Sequence, residues 1–251
     1  MRIEVAGKSH VGMKRNINED SFLVMPEQRL YCVADGMGGH FAGEIASKIA
    51  IDELAEFFRI TSTDRDVTWP FKMDKNRNYD ENRLATGIKL ANARIYEAAS
   101  GDPNYRGMGT TIATVHFAES SVYVGHVGDS RVYLLRGGQA HRLTEDHTLI
   151  AAQLKAGTLT REQAQASQLR NVITRAVGIQ ESVQVDTLMV DLLPKDLFLL
   201  CSDGLHGYFD DPRELAAIAA LGGEAGVNRL VEIANERGGR DNITAVLVEI
   251  S

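Results

Sequence analysis

The chain has 251 residues, 44% hydrophobic and 24% charged, with a formal net charge of -7 from 34 acidic and 27 basic side chains. That is ordinary globular composition, in a chain long enough to bury a core without disulfides or structural metals. It carries no basic nucleic-acid footprint, no apolar run of the 18 or more residues a membrane span needs, and no Cys/His spacing for zinc.

The two cysteines, Cys32 and Cys201, lie in the apolar runs YCVA and FLLCS and read as buried, reduced thiols. The amino-terminal MRIEVAGKSH has no apolar signal-peptide core. No Pro/Ser-rich linker divides the sequence. We expect one domain over residues 1–251, cytoplasmic and monomeric, with no membrane or nucleic-acid partner.

In chain order, Ile3 and Val5 alternate with polar neighbours, and residues 22–25 form a short apolar run. Residues 30–34 (LYCVA) read as a buried strand ending at Asp35-Gly36. From about Gly43 the period becomes helical through Ile45, Ile49, Leu54, Phe57 and Phe58. A second helix is predicted over 82–99, with Leu84, Ile88, Ala91 and Ile95 on one face. The polar stretch between them, about 60–81, reads as a surface excursion anchored by Trp69 and Phe71. Strands follow at 109–117, 122–127 and 131–135, with Gly128-Asp129 read as a tight turn between the last two and Gly137-Gly138 as another turn. Residues 147–170 read as helical but interrupted at Gly157-Thr158. Strands at 183–190 and 196–201, helices at 212–220 and 226–237, and a final strand at 243–250 complete the chain. This order is not alternating βα. It points to an α+β fold with helices covering antiparallel sheets.

Four acidic residues sit beside turns at the ends of apolar strands: Asp35 (VADGMGGH), Asp129 (HVGDSRVY), Asp203 (LLCSDGLH) and Asp241 (GGRDNITAV). One Asp-Gly turn is commonplace, but strand ends are where a rigid scaffold presents functional groups. Carboxylates brought together repel unless cations share them. Oxygen donors without Cys or His suit hard ions such as Mg²⁺ or Mn²⁺. The glycine after Asp35 lets the backbone approach closely, so its carbonyl could serve as a further ligand. Two such ions can acidify water and clamp the attacking and leaving oxygens of a phosphoester. GxSxG, the P-loop and HExxH are absent from the sequence. Arg15, four residues before the Glu19-Asp20 pair, reads either as a surface salt-bridged turn or as a phosphate-binding guanidinium.

Taken in order, RNINEDS, VADGMGGH, GTT, VGDSRVYLLR, LTEDHT, ITRAVG, LLCSDGL and GRDNITAVLV resemble the motifs of the PPM family, the metal-dependent type 2C protein serine/threonine phosphatases, in their compact bacterial form. The resemblance spans about residues 3–250. It implies a central antiparallel β-sandwich flanked by helix pairs, in four layers. It also implies hydrolysis of phosphoserine and phosphothreonine by a water activated between two Mn²⁺ or Mg²⁺ ions, on phosphoprotein partners that include a cognate serine/threonine kinase. By the same resemblance Asp35 bridges the two ions, Asp203 and Asp241 hold the first, and Glu19 and the Gly36 carbonyl hold the second. Asp129 with Asp203 matches a third, weaker site. Arg15 matches the phosphate-binding arginine, and Asp20, Thr111 and Asn242 support the site. Many eukaryotic members have His directly after the first Asp-Gly; here that residue is Met37. His40 then reads as the proton donor to the leaving group, or as a structural cap of the next helix. Residues 147–178 correspond to the family's flap near the active site, or to an ordinary pair of surface helices. Turnover of small phosphoesters and a non-catalytic partner-binding module are the alternative functions.

Overall fold

The central strands are apolar on both faces, so each must be covered from two sides. In the computed structural model, which describes residues 2–39, 42–63, 68–167, 169 and 171–250, β3 (Leu30–Met37) turns Leu30, Cys32 and Ala34 one way and Tyr31 and Val33 the other. All five are buried. β10 (Leu197–Cys201) and β11 (Ile243–Ile250) divide in the same manner. The result is two stacked antiparallel sheets. One has the order β1 (Ile3–His10), β11, β10, β7 (Arg131–Arg136), β8 (Gln139–Arg142). The other runs β2 (Asp20–Met25), β3, β5 (Ile112–Phe117), β6 (Ser121–Val127), β9 (Asp186–Asp191), with β4 (Gly109–Thr110) paired to the end of β3.

Tyr31, Val115, Phe117, Phe198 and Val246 fill the space between the sheets. Phe117 meets Tyr31 and Phe198 edge-on, at 5.8 and 5.3 Å. Two helices, α1 (Ala42–Thr63) and α2 (Tyr79–Gly101), cover the outer face of the second sheet. The short α5 (Asp203–His206), α6 (Pro212–Ala219) and α7 (Gly223–Glu236) cover the first. The expected four layers are present. Both cysteines are buried and free. No described helix is long and apolar enough to cross a membrane.

Several local expectations are corrected. The inner stripe of α1 is Ala42, Ala46, Ala50, Leu54 and Phe58, while Ile45 and Ile49 lie at its margin, only partly buried. Small residues form that stripe because α1 packs closely on the sheet and on α2. A side chain at Gly87 would meet Leu54 Cδ1 at 2.7 Å. The excursion after α1 is shorter than expected, because α2 begins at Tyr79 behind an Asn78/Glu81 capping box. Trp69 does anchor it, 5.7 Å from the Phe57 ring and 5.1 Å from Tyr79. Gly128-Asp129 is not a hairpin turn: β6 and β7 belong to different sheets, and these residues carry the chain across the sandwich. Gly137-Gly138, both at positive φ, does close the β7–β8 hairpin. The strand expected from 183 starts at Asp186; Val183 and Val185 are buried outside it. Residues 147–178 form an excursion holding α3 (Leu149–Lys155) and α4 (Arg161–Ala166). It is closed at its base by pairing of Thr148 with Ile173 and of Thr110 with Val177.

Candidate metal and phosphate site

The acidic residues gather at one end of the sandwich, where strands of both sheets stop. Asp20, first in β2, lies opposite Asp35 in the β2–β3 register. The Thr110-Thr111 pair fixes the main chain of Asp35. Its N–H donates to Thr111 Oγ1 (3.0 Å), and its carbonyl accepts from Thr110 Oγ1 and the Thr111 N–H, both at 2.9 Å. Thr111 Oγ1 in turn shares a 2.7 Å hydrogen bond with Ser130 Oγ. Gly36 must be glycine, since a Cβ there would overlap the Gly43 carbonyl at the start of α1. The Gly43 N–H donates to the Glu19 carboxylate, so the amino end of α1 holds that side chain.

Asn242 organises the loop that carries Arg15 and Glu19. Its Oδ1 accepts from the Glu19 N–H at 2.8 Å, and its Nδ2 donates to the carbonyls of Val11 (3.0 Å) and Ile17 (2.8 Å). Asp241, one residue earlier, pairs with Arg15 at 2.8 Å. Asp203 opens α5 and hydrogen-bonds Asp35 side chain to side chain. Asp129 is buried in the crossing between sheets, and its carbonyl accepts from His206 Nε2 at 3.0 Å.

Burial and mutual repulsion push these groups toward their protonated forms. Asp20 rises to about 7, chiefly from burial and despite hydrogen bonds from Thr244 and Ser202. Asp129 rises to about 7, from burial and then the Asp203 charge. Asp203 rises to about 6, from burial and then Asp241. Asp35 is held well above the usual carboxylate range by burial and by the charges of Asp20, Asp203, Asp129 and Asp241. Glu19 is raised by burial, with Arg15 opposing.

The sequence-predicted Glu19, Asp20, Asp35, Gly36, Thr111, Asp129, Asp203, Asp241 and Asn242, with Arg15, are therefore brought to one place. His40 lies outside the described residues, and Met37 ends β3. Sequence reasoning missed the hydroxyls beneath the site. Thr244 Oγ1 (2.6 Å) and Ser202 Oγ (2.8 Å) both donate to Asp20 Oδ2, and Ser9 Oγ bonds Thr244. The only signal for Ser202 was its place directly before Asp203. His206, three residues after Asp203, lies within the same LLCSDGLH string, but its proximity to the motif gives it no role by itself.

The donor set is carboxylates and a backbone carbonyl, which fits hard divalent cations. Asp20 Oδ1 is buried without a hydrogen-bond partner, the kind of atom an ion or its water would satisfy. Among the described residues no three Asp, Glu, His or Cys side chains are drawn around one point. The Asp35–Asp203 hydrogen bond and the Arg15–Asp241 pair engage three of the carboxylates instead. A cleft of about 1060 Å³ opens from Asp129, Asp203 and Asp241 toward Ile150 and Leu154 of α3 and toward Tyr208 and Phe209.

The profile of the family described as Protein phosphatase 2C matches residues 6–246. The chain belongs to the protein phosphatase 2C family. It is 34% identical to protein phosphatase PhpP of Streptococcus pneumoniae, over 99% of this chain and 98% of that relative. The crystal structure of the Mycobacterium tuberculosis serine/threonine phosphatase PstP/Ppp superposes with a TM-score of 0.86 at 32% identity, over 99% of both chains. A crystal structure of the catalytic domain of serine/threonine phosphatase PstP in complex with two manganese ions gives 0.82 at 31% identity, again over 99% of both chains. The resemblance of the eight motifs and the four-layer expectation thus agree with the family and its fold.

Proposed function

We propose that this chain is a metal-dependent protein phosphatase that removes phosphate from phosphoserine and phosphothreonine. The observation that carries the reading is the convergence of Asp35, Asp203, Asp241 and Glu19 beside Arg15, in a chain that matches serine/threonine phosphatases along nearly its whole length. Asp35, Asp203 and Asp241 would hold a first cation, and Glu19, Asp35 and the Gly36 carbonyl a second. Asp129 with Asp203 would hold a third, weaker one. Mn²⁺ or Mg²⁺ in these positions supplies an acidified water and offsets the negative charge of the phosphate.

The chain's own residues do the rest. Arg15, exposed at the rim, leaves Asp241 to cradle the phosphate with its planar fork. Asn242 holds the loop bearing Arg15 and Glu19 against the sheet end. Thr111 fixes the Asp35 main chain, and Asp20 orients solvent from beneath. His40 delivers a proton to the departing serine or threonine oxygen. The substrates are phosphoproteins, a cognate serine/threonine kinase among them, met by a monomer. The free thiols of Cys32 and Cys201 suit a reducing, cytoplasmic compartment.

The test is phosphate release from a phosphothreonine peptide, with and without Mn²⁺, by the native chain and by Asp35→Asn. We expect metal-dependent release that the substitution lowers on the order of a hundredfold or more, the scale of losing one group that stabilises developing charge. Folded native protein that releases no phosphate with either Mn²⁺ or Mg²⁺ would overturn the proposal. Turnover of a small aryl phosphate without turnover of the peptide would replace protein substrates with small phosphoesters.

A further inference from the structure

The GRDNITAVLV string gives Asp241 and Asn242 to the site, while Arg240, directly before them, has no part in it so far. Its main chain is nevertheless fixed on both sides. The Arg240 N–H donates to the Tyr208 hydroxyl at 2.9 Å. The Met13 N–H donates to the Gly239 carbonyl at 2.7 Å, and the Gly239 N–H donates to the Ala234 carbonyl at 3.0 Å. Gly238 and Gly239 both have positive φ. A Cβ on Gly238 would meet the Tyr208 hydroxyl at 3.3 Å, and one on Gly239 would press on Met13 Cγ at 2.7 Å. Tyr208 is itself held, its carbonyl accepting from the Arg237 guanidinium at 2.6 Å. The loop is wedged between Met13 and Tyr208, so residue 240 is delivered to the rim of the cleft with little backbone freedom.

The Arg240 side chain is what this arrangement leaves open. The residue is exposed and lines the same cleft as Tyr208 and Asp241. The other Arg and Lys side chains of the cleft are already matched, Arg131 and Arg142 with Asp146 and Lys155 with Glu145. Asp210 exerts its charge on Arg237, which also pairs with Glu214. Among the described residues Arg240 makes no ion pair and no side-chain hydrogen bond. Asp241, the next residue along the chain, pairs with Arg15. A peptide whose phosphate lies against Arg15 therefore has Arg240 at its flank. An extended chain advances about 3.3–3.6 Å per residue, which brings residues one or two positions from the phosphothreonine within reach of a guanidinium. The planar fork suits a carboxylate, and cations on the acidic cluster remove the repulsion an acidic peptide would otherwise meet there. We infer that Arg240 is a specificity-determining residue, a second guanidinium that pairs with an Asp or Glu side chain one or two positions from the phosphorylated residue of the substrate. The inference rests on the reading of the chain as a protein phosphatase.

The test is kcat/KM at saturating Mn²⁺ for phosphothreonine peptides that carry Glu, Gln or Lys at one of the two positions on either side. At one of these positions the native chain should favour Glu over Gln by about fivefold, the upper range for an exposed ion pair, with Lys below Gln. Arg240→Ala should bring Glu and Gln within about twofold of each other, Arg240→Lys should keep part of the preference, and Arg240→Glu should invert the order so that Lys leads. Each ratio is taken within one preparation, so a fraction of misfolded protein cannot imitate the result. A native chain that turns over all the peptides without regard to charge would overturn the inference and leave the phosphatase reading intact. So would a preference for Glu that survives Arg240→Ala, or losses in Arg240→Glu that fall equally on every peptide, which would make Arg240 a support of Asp241. If the native chain turns over none of the peptides, the phosphoprotein reading itself fails, and the role of Arg240 falls with it.

Discussion

Arg15 shows how little a site residue need contribute to the fold. Its pair with Asp241 is half-exposed on the arginine side and about a third exposed on the other, at 51% and 34%, and exposed pairs stabilise by roughly 0–1 kcal/mol. Its place in the phosphate reading is a charge-assisted bond, worth about 1.5–3 kcal/mol. Arg15→Ala should therefore leave the melting temperature nearly unchanged while kcat/KM for a phosphothreonine peptide falls about 10- to 100-fold. Arg15→Lys should recover only part of that loss, since an ammonium cannot present the planar fork. Melting curves and peptide kinetics on the same preparations check this. A melting point that falls in step with activity would make Arg15 a structural residue. Asn242 is the contrast: its three side-chain bonds hold the loop itself, so it belongs to fold and site together.

At the scale of elements, the amino end of α1 is part of the site. Gly43 is buried there, and a Cβ on it would overlap the Glu19 carboxylate that its N–H binds. In a free helix alanine is favoured over glycine by about 1 kcal/mol. Here Gly43→Ala would press on the Gly36 backbone at 2.9 Å as well as on Glu19, so it should lower the melting temperature as the helix end shifts, and displacing Glu19 should lower Mn²⁺ affinity by about tenfold or more in a calorimetric titration of the folded variant. Unchanged Mn²⁺ binding would remove Glu19 from the ligand set. The sequence disclosed such elements unevenly. Long periodic segments such as α2 and β11 were legible because one spacing repeats over many residues. The inner face of α1 was legible only in its second half, at Leu54 and Phe58, because the alanine stripe before them gives a weaker apolar signal than the isoleucines beside it. The Gly128-Asp129 crossing was misread because a turn dipeptide does not say which sheet receives the next strand. The acidic residues were visible one by one at strand ends. Their assembly into one site came from the order of the motifs, since the pairings that unite them span more than 200 residues, as from Asp20 to Thr244.

For the molecule as a whole, the acidic cluster and the buried histidines set opposite dependences of stability on pH. Without cations, Asp20 and Asp129 at about 7 and Asp203 at about 6 hold protons that the unfolded chain, near 3.8, has released. Between about pH 4 and 7 the folded state then binds more protons, so this contribution is lost as pH rises. His126 and His206 are pushed down to about 3 by burial from 6.5. There the unfolded state binds more protons, so their contribution is lost as pH falls below about 6.5. Each group alters stability by at most about 1.4 kcal/mol per pH unit, and the two trends offset each other in the cation-free protein. Mg²⁺ or Mn²⁺ bound by the carboxylates would displace their protons and abolish the first trend. The stabilisation given by a fixed excess of Mg²⁺ should therefore grow from pH 5.5 to 7.5. Carboxylates of ordinary acidity would already be ionised at the lower limit and would give no such growth. Thermal melts with and without Mg²⁺ across that interval decide it. A metal-induced shift of the same size at pH 5.5 and 7.5 would mean that the cluster is already ionised without metal, and that its charges are separated well enough to need no cation.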